Sequence, residues 1–273
     1  MTESDKLFAG SIPKLYDTLM VPLIFEAYAA DTAELGAGFS PGAVLETAAG
    51  SGVVTRALAP RLRAGTRYVV TDLNQPMLDY AATRQGSSSG INIEWQQADA
   101  LKLPFEDASF DVVFCQFGAM FFPDRAAGYA EARRVLRPGG RFVFSVWDRI
   151  SENVFAETVD AAVASVFPEE PPRFMARTPH GYWDPAVIAR DLAAAGFDGR
   201  PHVDTVTKLS RAASPLAAAV AFCRGTPLRT EIESRDATRL EEATAASAAA
   251  LSQRFGPGPI EGRMQAHVIT SGR

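Results

Sequence analysis

Cysteine and histidine are scarce in this chain, at two and three of 273 residues. Cys115 and Cys223 lie far apart in apolar surroundings, which excludes a disulfide framework and predicts buried free thiols in a reducing compartment. His180, His202 and His267 show no metal-ligand spacing, so no metal site is expected. No run of about 18 apolar residues exists, which excludes a helical membrane span. The opening residues, MTESDKLFAG, lack the apolar core of a signal peptide, and a cytoplasmic protein is expected. Basic residues are scattered, RALAPRLR at 56–63 being the nearest to a cluster. With a formal net charge of −5, that distribution argues against a nucleic-acid partner. What the chain does have is 47% hydrophobic residues, enough to bury a sizeable core. No repeat or linker marks off a second unit, so a single domain over 1–273 is expected.

The most informative stretch is VLETAAGSG at 44–52. Val44 and Leu45 end an apolar strand, and Ala48, Ala49, Gly50, Ser51 and Gly52 follow with no side chain larger than a hydroxymethyl. Such a turn lets a ligand approach the backbone and aims the N–H groups of the next helix at it. A second strand, RYVVTDLN, ends in Asp72, 22 residues past Gly50. An acid at about 20 residues past the turn is where a βαβ unit holds ribose hydroxyls.

From 43 to 148 strands and helices alternate. Strands are expected at Ala43–Thr47, Tyr68–Asp72, Ile91–Gln96, Phe110–Gln116 and Arg141–Trp147, and helices at Val53–Leu62, Gln75–Arg84 and Pro123–Leu136. FDVVFCQ at 110–116 is almost continuously apolar, as in a strand covered on both faces. Strands separated by helices imply parallel pairing, hence an α/β, doubly wound, mostly parallel sheet. Ligands of such sheets sit beyond the carboxyl ends of the strands. The 48–52 turn, Asp72, Asp99 and the loop after Gln116 all fall there.

These segments resemble the class I S-adenosylmethionine-dependent methyltransferases, and among them the small-molecule group similar to the ubiquinone/menaquinone C-methyltransferases. The matching stretches are VLETAAGSGVVTRALA, VVTDLNQPMLDYA, QADALKLPFEDASFDVVFCQFGAMFFPD and EARRVLRPGGRFVFSVW. The family usually has glycine where Ala48 stands and often aspartate where Glu46 stands. The resemblance implies a Rossmann-like sheet of seven strands with an antiparallel closing strand, S-adenosylmethionine as cofactor and S-adenosylhomocysteine as product. It also implies roles. Ala48 and Gly50 would hold the amino-acid end and Asp72 the ribose hydroxyls. Leu73 and Met77 would pack on the adenine, and Asp99 and the Ala100 N–H would take its polar edge. Gln116 would line the methionine end, and Tyr16 of a Tyr-Asp pair would close over the carboxylate. Taken singly, Met77 also fits as core, Asp99 as a turn former and Gln116 as a backbone cap.

The remainder reads as a lid and a closure. Residues 1–40 are helical and aromatic-rich, with Phe25 and Tyr28 expected as core; 41–148 form the cofactor-binding core. Residues 149–184 and 211–258 are lid insertions, the first too long for a simple connection. Residues 185–210 and 259–273 supply a closing helix, capped by Asp184, and strands at 201–209 and 263–270. Methyl transfer needs mainly proximity and orientation, and no fixed catalytic constellation is visible. His180 in TPHGYW is the candidate base or substrate contact, with a loop histidine satisfied by backbone as the alternative; Tyr182, Asp184 and Arg177 are weaker candidates. A small, apolar acceptor methylated on O, N or C is expected, in a monomer or homodimer. Two other functions remain open: a non-catalytic cofactor-binding module and a nicotinamide-dependent oxidoreductase. The absence of a full G-x-G-x-x-G and of a Tyr-x-x-x-Lys pair argues against the second.

Overall fold

Near-continuous burial along the central strands, covered on both faces by helices, builds a three-layer molecule. A computed structural model describes residues 12–86 and 90–273; residues 1–11 of the expected lid and 87–89 of the GSSSG connection lie outside it. Strands β1 (Ala43–Glu46), β2 (Arg67–Asp72), β3 (Asn92–Gln97), β4 (Phe110–Gln116), β5 (Leu136–Trp147), β6 (His202–Ala212) and β7 (Ile260–Gly272) form one sheet in the order β3-β2-β1-β4-β5-β7-β6. The first five pair in parallel, and β7 runs antiparallel to both β5 and β6. The expected doubly wound, mostly parallel sheet of seven strands with an antiparallel closing strand is therefore present. Strand order reverses between β1 and β4, which opens a crevice at their carboxyl ends.

The helices are α1 (Ile12–Leu15), α2 (Glu26–Gly38), α3 (Val53–Leu58), α4 (Gln75–Arg84), α5 (Arg125–Val135), α6 (Val154–Val166), α7 (Phe174–Arg177), α8 (Pro185–Ala194), α9 (Pro215–Arg224), α10 (Leu228–Asp236) and α11 (Leu240–Phe255). Successive strand side chains point to opposite faces. Val44, Tyr68, Val70 and Phe114 pack in one core with Ala29 and Ala33 of α2, Val54 and Leu58 of α3 and Leu78 of α4. Leu45, Val69, Val113 and Phe142 pack in the other with Tyr129 and Val135 of α5 and Ile188 and Leu192 of α8. Both cysteines are buried and free, and burial pushes the Cys115 thiol up to about 12.

Several boundaries differ from the sequence expectation, each for a local reason. The helix expected over 53–62 stops at Leu58 and tightens into a narrow turn at Ala59–Arg61 around Pro60. α5 starts at Arg125 because Asp124 caps it, its carboxylate accepting from Ala127 N–H at 2.9 Å. β5 starts at Leu136 instead of Arg141, since Leu136 pairs with Phe110 before the ladder resumes at Arg141 opposite Val112. Residues 149–184, expected as a long loop, contain α6 and α7. The periodic set Phe155, Val159, Ala162, Val163 and Val166 is buried along α6, against α9, α11 and β7.

The N-terminal segment divides in two. α2 is a core layer, not a cover. Tyr28 is fully buried and its hydroxyl donates to the carbonyls of Val206 at 3.0 Å and Met264 at 3.3 Å. Ahead of it, Tyr16–Phe25 winds in wide turns, with Glu26 N–H reaching Val21 O and Pro22 inside. Buried Asp17 pins this stretch to the core, accepting from Arg56 of α3 at 2.7 Å and Arg84 of α4 at 3.2 Å. No helix among the described residues is long and apolar enough to cross a membrane.

Asp17→Ala is expected to lower stability by about 1–2 kcal/mol, because both arginines reach solvent. Amide exchange should accelerate in 16–25 far more than in β1 or β4. Unchanged protection of 16–25 would show that the pair anchors nothing.

Candidate functional site

At the switch point a cavity of about 140 Å³ opens against the ends of β1, β2 and β4. Tyr16, Ala48, Gly50, Asp72, Leu73, Met77, Asp99, Ala100 and Gln116, all nine candidates, line it. Gly50 and Gly52 lie in the left-handed region at φ 57° and 78°, which bends the turn back under α3. Asp72 joins that turn to β2. One carboxylate oxygen accepts from Gly50 N–H at 2.8 Å and the other from Asn74 N–H at 2.8 Å. The oxygen that meets Asn74 N–H also accepts from the Asn74 side-chain amide at 3.3 Å, whereas the one that meets Gly50 keeps a further lone pair, and the residue borders the cavity. Burial raises the Asp72 carboxyl above its ordinary value, against the backbone hydrogen bonds from Asn74 and Gly50.

The other candidates divide between wall and edge. Met77 is buried in the wall, whereas Leu73 is 44% exposed at the rim. Asp99 accepts from Leu101 N–H at 2.9 Å as a turn former and also lines the cavity. Gln116 Oε1 accepts from Thr32 of α2 at 3.0 Å, which orients its amide. Ser51 Oγ is buried and has no hydrogen-bond partner among the described residues, so a polar ligand atom in this cavity fits that need.

Two features were not read as functional from sequence. Glu46, at the end of β1, lines the cavity and is buried, accepting from Thr55 at 2.7 Å and from the Tyr68 hydroxyl. Burial lifts its carboxyl from 4.5 to about 7, against those two hydrogen bonds. Its sequence signals were its place before the small-residue turn and the aspartate that the resembled family often has there. The second is a close contact between turns. Ala48 carries a φ of 51°, unfavourable for a residue with a Cβ. Its Cβ fills the space beside Gly118, where a Cβ would lie 2.4 Å away. Alanine at 48 thus requires glycine at 118.

Beyond the cavity lies an apolar chamber, and Tyr16, Phe25, Phe117 and Phe121 border both. Phe117 adopts a φ of 53° and stacks on Trp147 at 4.0 Å. His180 lines this chamber rather than the cofactor cavity. It is buried, and Nδ1 lies 2.9 Å from the Asp148 carbonyl, the backbone contact of the alternative reading. Burial lowers its pKa to about 4, leaving the ring neutral. The weaker candidates lie elsewhere. Tyr182 donates to Asp191 at 2.9 Å, Asp184 caps α8 through Ala186 N–H, and Arg177 approaches Glu231 at 3.8 Å.

A family model described as "Methyltransferase domain" matches residues 45–144. An uncharacterized protein of Mycobacterium tuberculosis is 32% identical over 164 residues, covering 60% of this chain and 56% of that protein. The chain thus spans little more than half of that relative. The ubiquinone/menaquinone biosynthesis C-methyltransferase of Pseudomonas aeruginosa is 30% identical over 196 residues, covering 67% of this chain and 76% of that protein. Among solved structures, phosphoethanolamine N-methyltransferase 2 of Haemonchus contortus, in complex with phosphomonomethylethanolamine and S-adenosylhomocysteine, shares the fold. Its TM-score is 0.57 at 14% identity, over 96% of this chain and 57% of that one.

Two measurements probe the site's construction. Gly118→Ala should destabilise by more than about 1 kcal/mol, and Ala48→Gly should relieve part of that cost in the double variant. Strict additivity in the cycle would dissolve the contact. Glu46 has a raised folded pKa, so its contribution to stability is complete below 4.5 and is lost as pH rises to about 7. The stability gap between Glu46→Gln and the native protein should therefore shift towards the variant between those values and then level off. A gap independent of pH would place Glu46 in water.

Proposed function

Because this chain belongs to the S-adenosylmethionine-dependent methyltransferases, in the group similar to the ubiquinone/menaquinone C-methyltransferases, we propose that it moves a methyl group to O, N or C of a small, apolar acceptor. The observation that carries this reading is the pairing of two compartments. A cavity with a buried acid and a hydroxyl that has no partner among the described residues shares an aromatic wall with an apolar chamber. When bound, the cofactor supplies a methyl group on a cationic sulfonium, already activated for displacement.

The protein's part is to hold and to orient. In this proposal the turn backbone at Ala48 and Gly50 holds the amino-acid end, with Tyr16 closing over it. Asp72 takes the ribose hydroxyls. Leu73 and Met77 pack on the adenine, and Asp99 and Ala100 take its polar edge. Gln116, oriented by Thr32, lines the methionine end. Buried Glu46 and Asp72 give the compartment an acidic lining suited to a cation. Phe25, Phe117 and Phe121 exclude water where the two ligands meet, and fixed alignment in a dry site is where rate enhancement of a displacement arises. His180 contacts the acceptor. We take the chain to act on small molecules in the cytoplasm as a monomer or homodimer, without a nucleic-acid partner.

Asp72→Ala should weaken S-adenosylmethionine binding by about 10- to 150-fold in calorimetry, the worth of a buried hydrogen bond to a charged group. The fold should survive. Asp79→Ala, on the exposed side of α4 where Asp79 accepts from Gln75, is the control and should change nothing. Equal affinity in native protein and Asp72→Ala would remove Asp72 from the site.

A further inference from the structure

We propose that the chamber selects a neutral, ring-bearing molecule whose hydroxyl donates a hydrogen bond to Nε2 of His180. This rests on the reading above that the chamber receives the acceptor.

The argument is a count of polar capacity. The walls are rings and thioethers, among them Phe117, Trp147, Phe155, Phe174, Met175 and Phe222, which suit a flat apolar guest. The polar lining residues are mostly spent. Asn153 donates its amide to the carbonyls of Asp148, Arg149 and Gln265 at 3.1–3.3 Å, and its oxygen accepts from Gln265 N–H at 3.1 Å. Ser210 donates to Leu23 O at 2.7 Å and Thr226 to Phe222 O at 2.7 Å, so both hydroxyl protons are committed. Arg263 pairs with Glu152 at 2.9 Å.

His180 differs. A carbonyl only accepts, so the 2.9 Å contact with Asp148 O puts the ring proton on Nδ1. The neutral ring then carries a lone pair on Nε2, which accepts no hydrogen bond from the described residues. The Asp148 carbonyl is itself held in place. Its own carboxylate accepts from Gln265 at 2.6 Å and from Arg149 N–H at 2.6 Å. A pre-oriented acceptor in an apolar room calls for a donor on the guest. Among the described residues no carboxylate lines the chamber, so an ammonium guest would be stripped of water with no counter-charge from them. A neutral hydroxyl meets the need without that cost.

The test uses the protein saturated with S-adenosylhomocysteine and three matched probes: 1-naphthol, naphthalene and 1-naphthylmethylamine. Calorimetry should show 1-naphthol bound about 3- to 10-fold tighter than naphthalene, the worth of one neutral hydrogen bond, and the amine bound weakest. His180→Ala should abolish the preference for 1-naphthol and leave S-adenosylhomocysteine affinity unchanged. In native protein labelled with 15N-histidine, the Nε2 resonance of His180 should move with 1-naphthol and stay with naphthalene, which decides the matter even if the variant does not fold. Equal binding of 1-naphthol and naphthalene, a preference that survives His180→Ala, tightest binding of the amine, or an unmoved Nε2 resonance each overturns the proposal. Failure to bind S-adenosylhomocysteine at all overturns the methyltransferase reading instead.

Discussion

A 2.8 Å hydrogen bond from Gly50 N–H to the carboxylate of Asp72 ties the first turn of the sheet to the end of the second strand. A buried carboxylate needs such donors, since burial alone drives its proton affinity up. Asn74 N–H supplies a second donor to the other oxygen. The result is an acid fixed on both sides and facing a cavity with capacity to spare. The turn is held where the left-handed Gly50 and Gly52 bring its backbone to the same cavity.

The crevice takes its shape from two strained turns that meet. Ala48 after β1 and Phe117 after β4 both sit at positive φ, which costs residues with side chains of order 1–2 kcal/mol each. Ala48 presses its methyl against the backbone of Gly118. Phe117 uses its conformation to lay its ring on Trp147, and so becomes part of the partition between cavity and chamber. Strain at the strand ends is thus coupled to the one surface that both compartments share. The stretch Tyr16–Phe25 completes that surface from the other side, held by Asp17 between two arginines.

The two compartments separate chemical tasks. The cavity at the strand ends gathers the buried acids Glu46 and Asp72, while the described lining of the chamber has no acid and one neutral histidine with its tautomer set by the backbone. A polar, cation-tolerant room beside a dry aromatic one is an arrangement in which alignment does the chemical work.

The sequence by itself determined the core from 43 to 148. A small-residue turn after an apolar strand, an acid 22 residues on from Gly50 and the continuous apolar run at 110–116 are short-range patterns, and short-range patterns survive without knowledge of the fold. The nine cofactor candidates came from those patterns and a family resemblance, and they line one cavity because parallel strands end on one edge. Helix α6 was legible too, in the spacing of Phe155, Val159 and Val163, but was hidden behind a Pro-rich stretch read as loop. Other features depended on contacts between distant segments. That Gly118 answers Ala48, that Asp17 meets Arg56 and Arg84, that Tyr28 bonds to β6 and β7, and that His180 rests on the Asp148 carbonyl are meetings of residues between 32 and 236 positions apart. Local preference carries no information about such meetings; packing the helices onto a twisted sheet decides them.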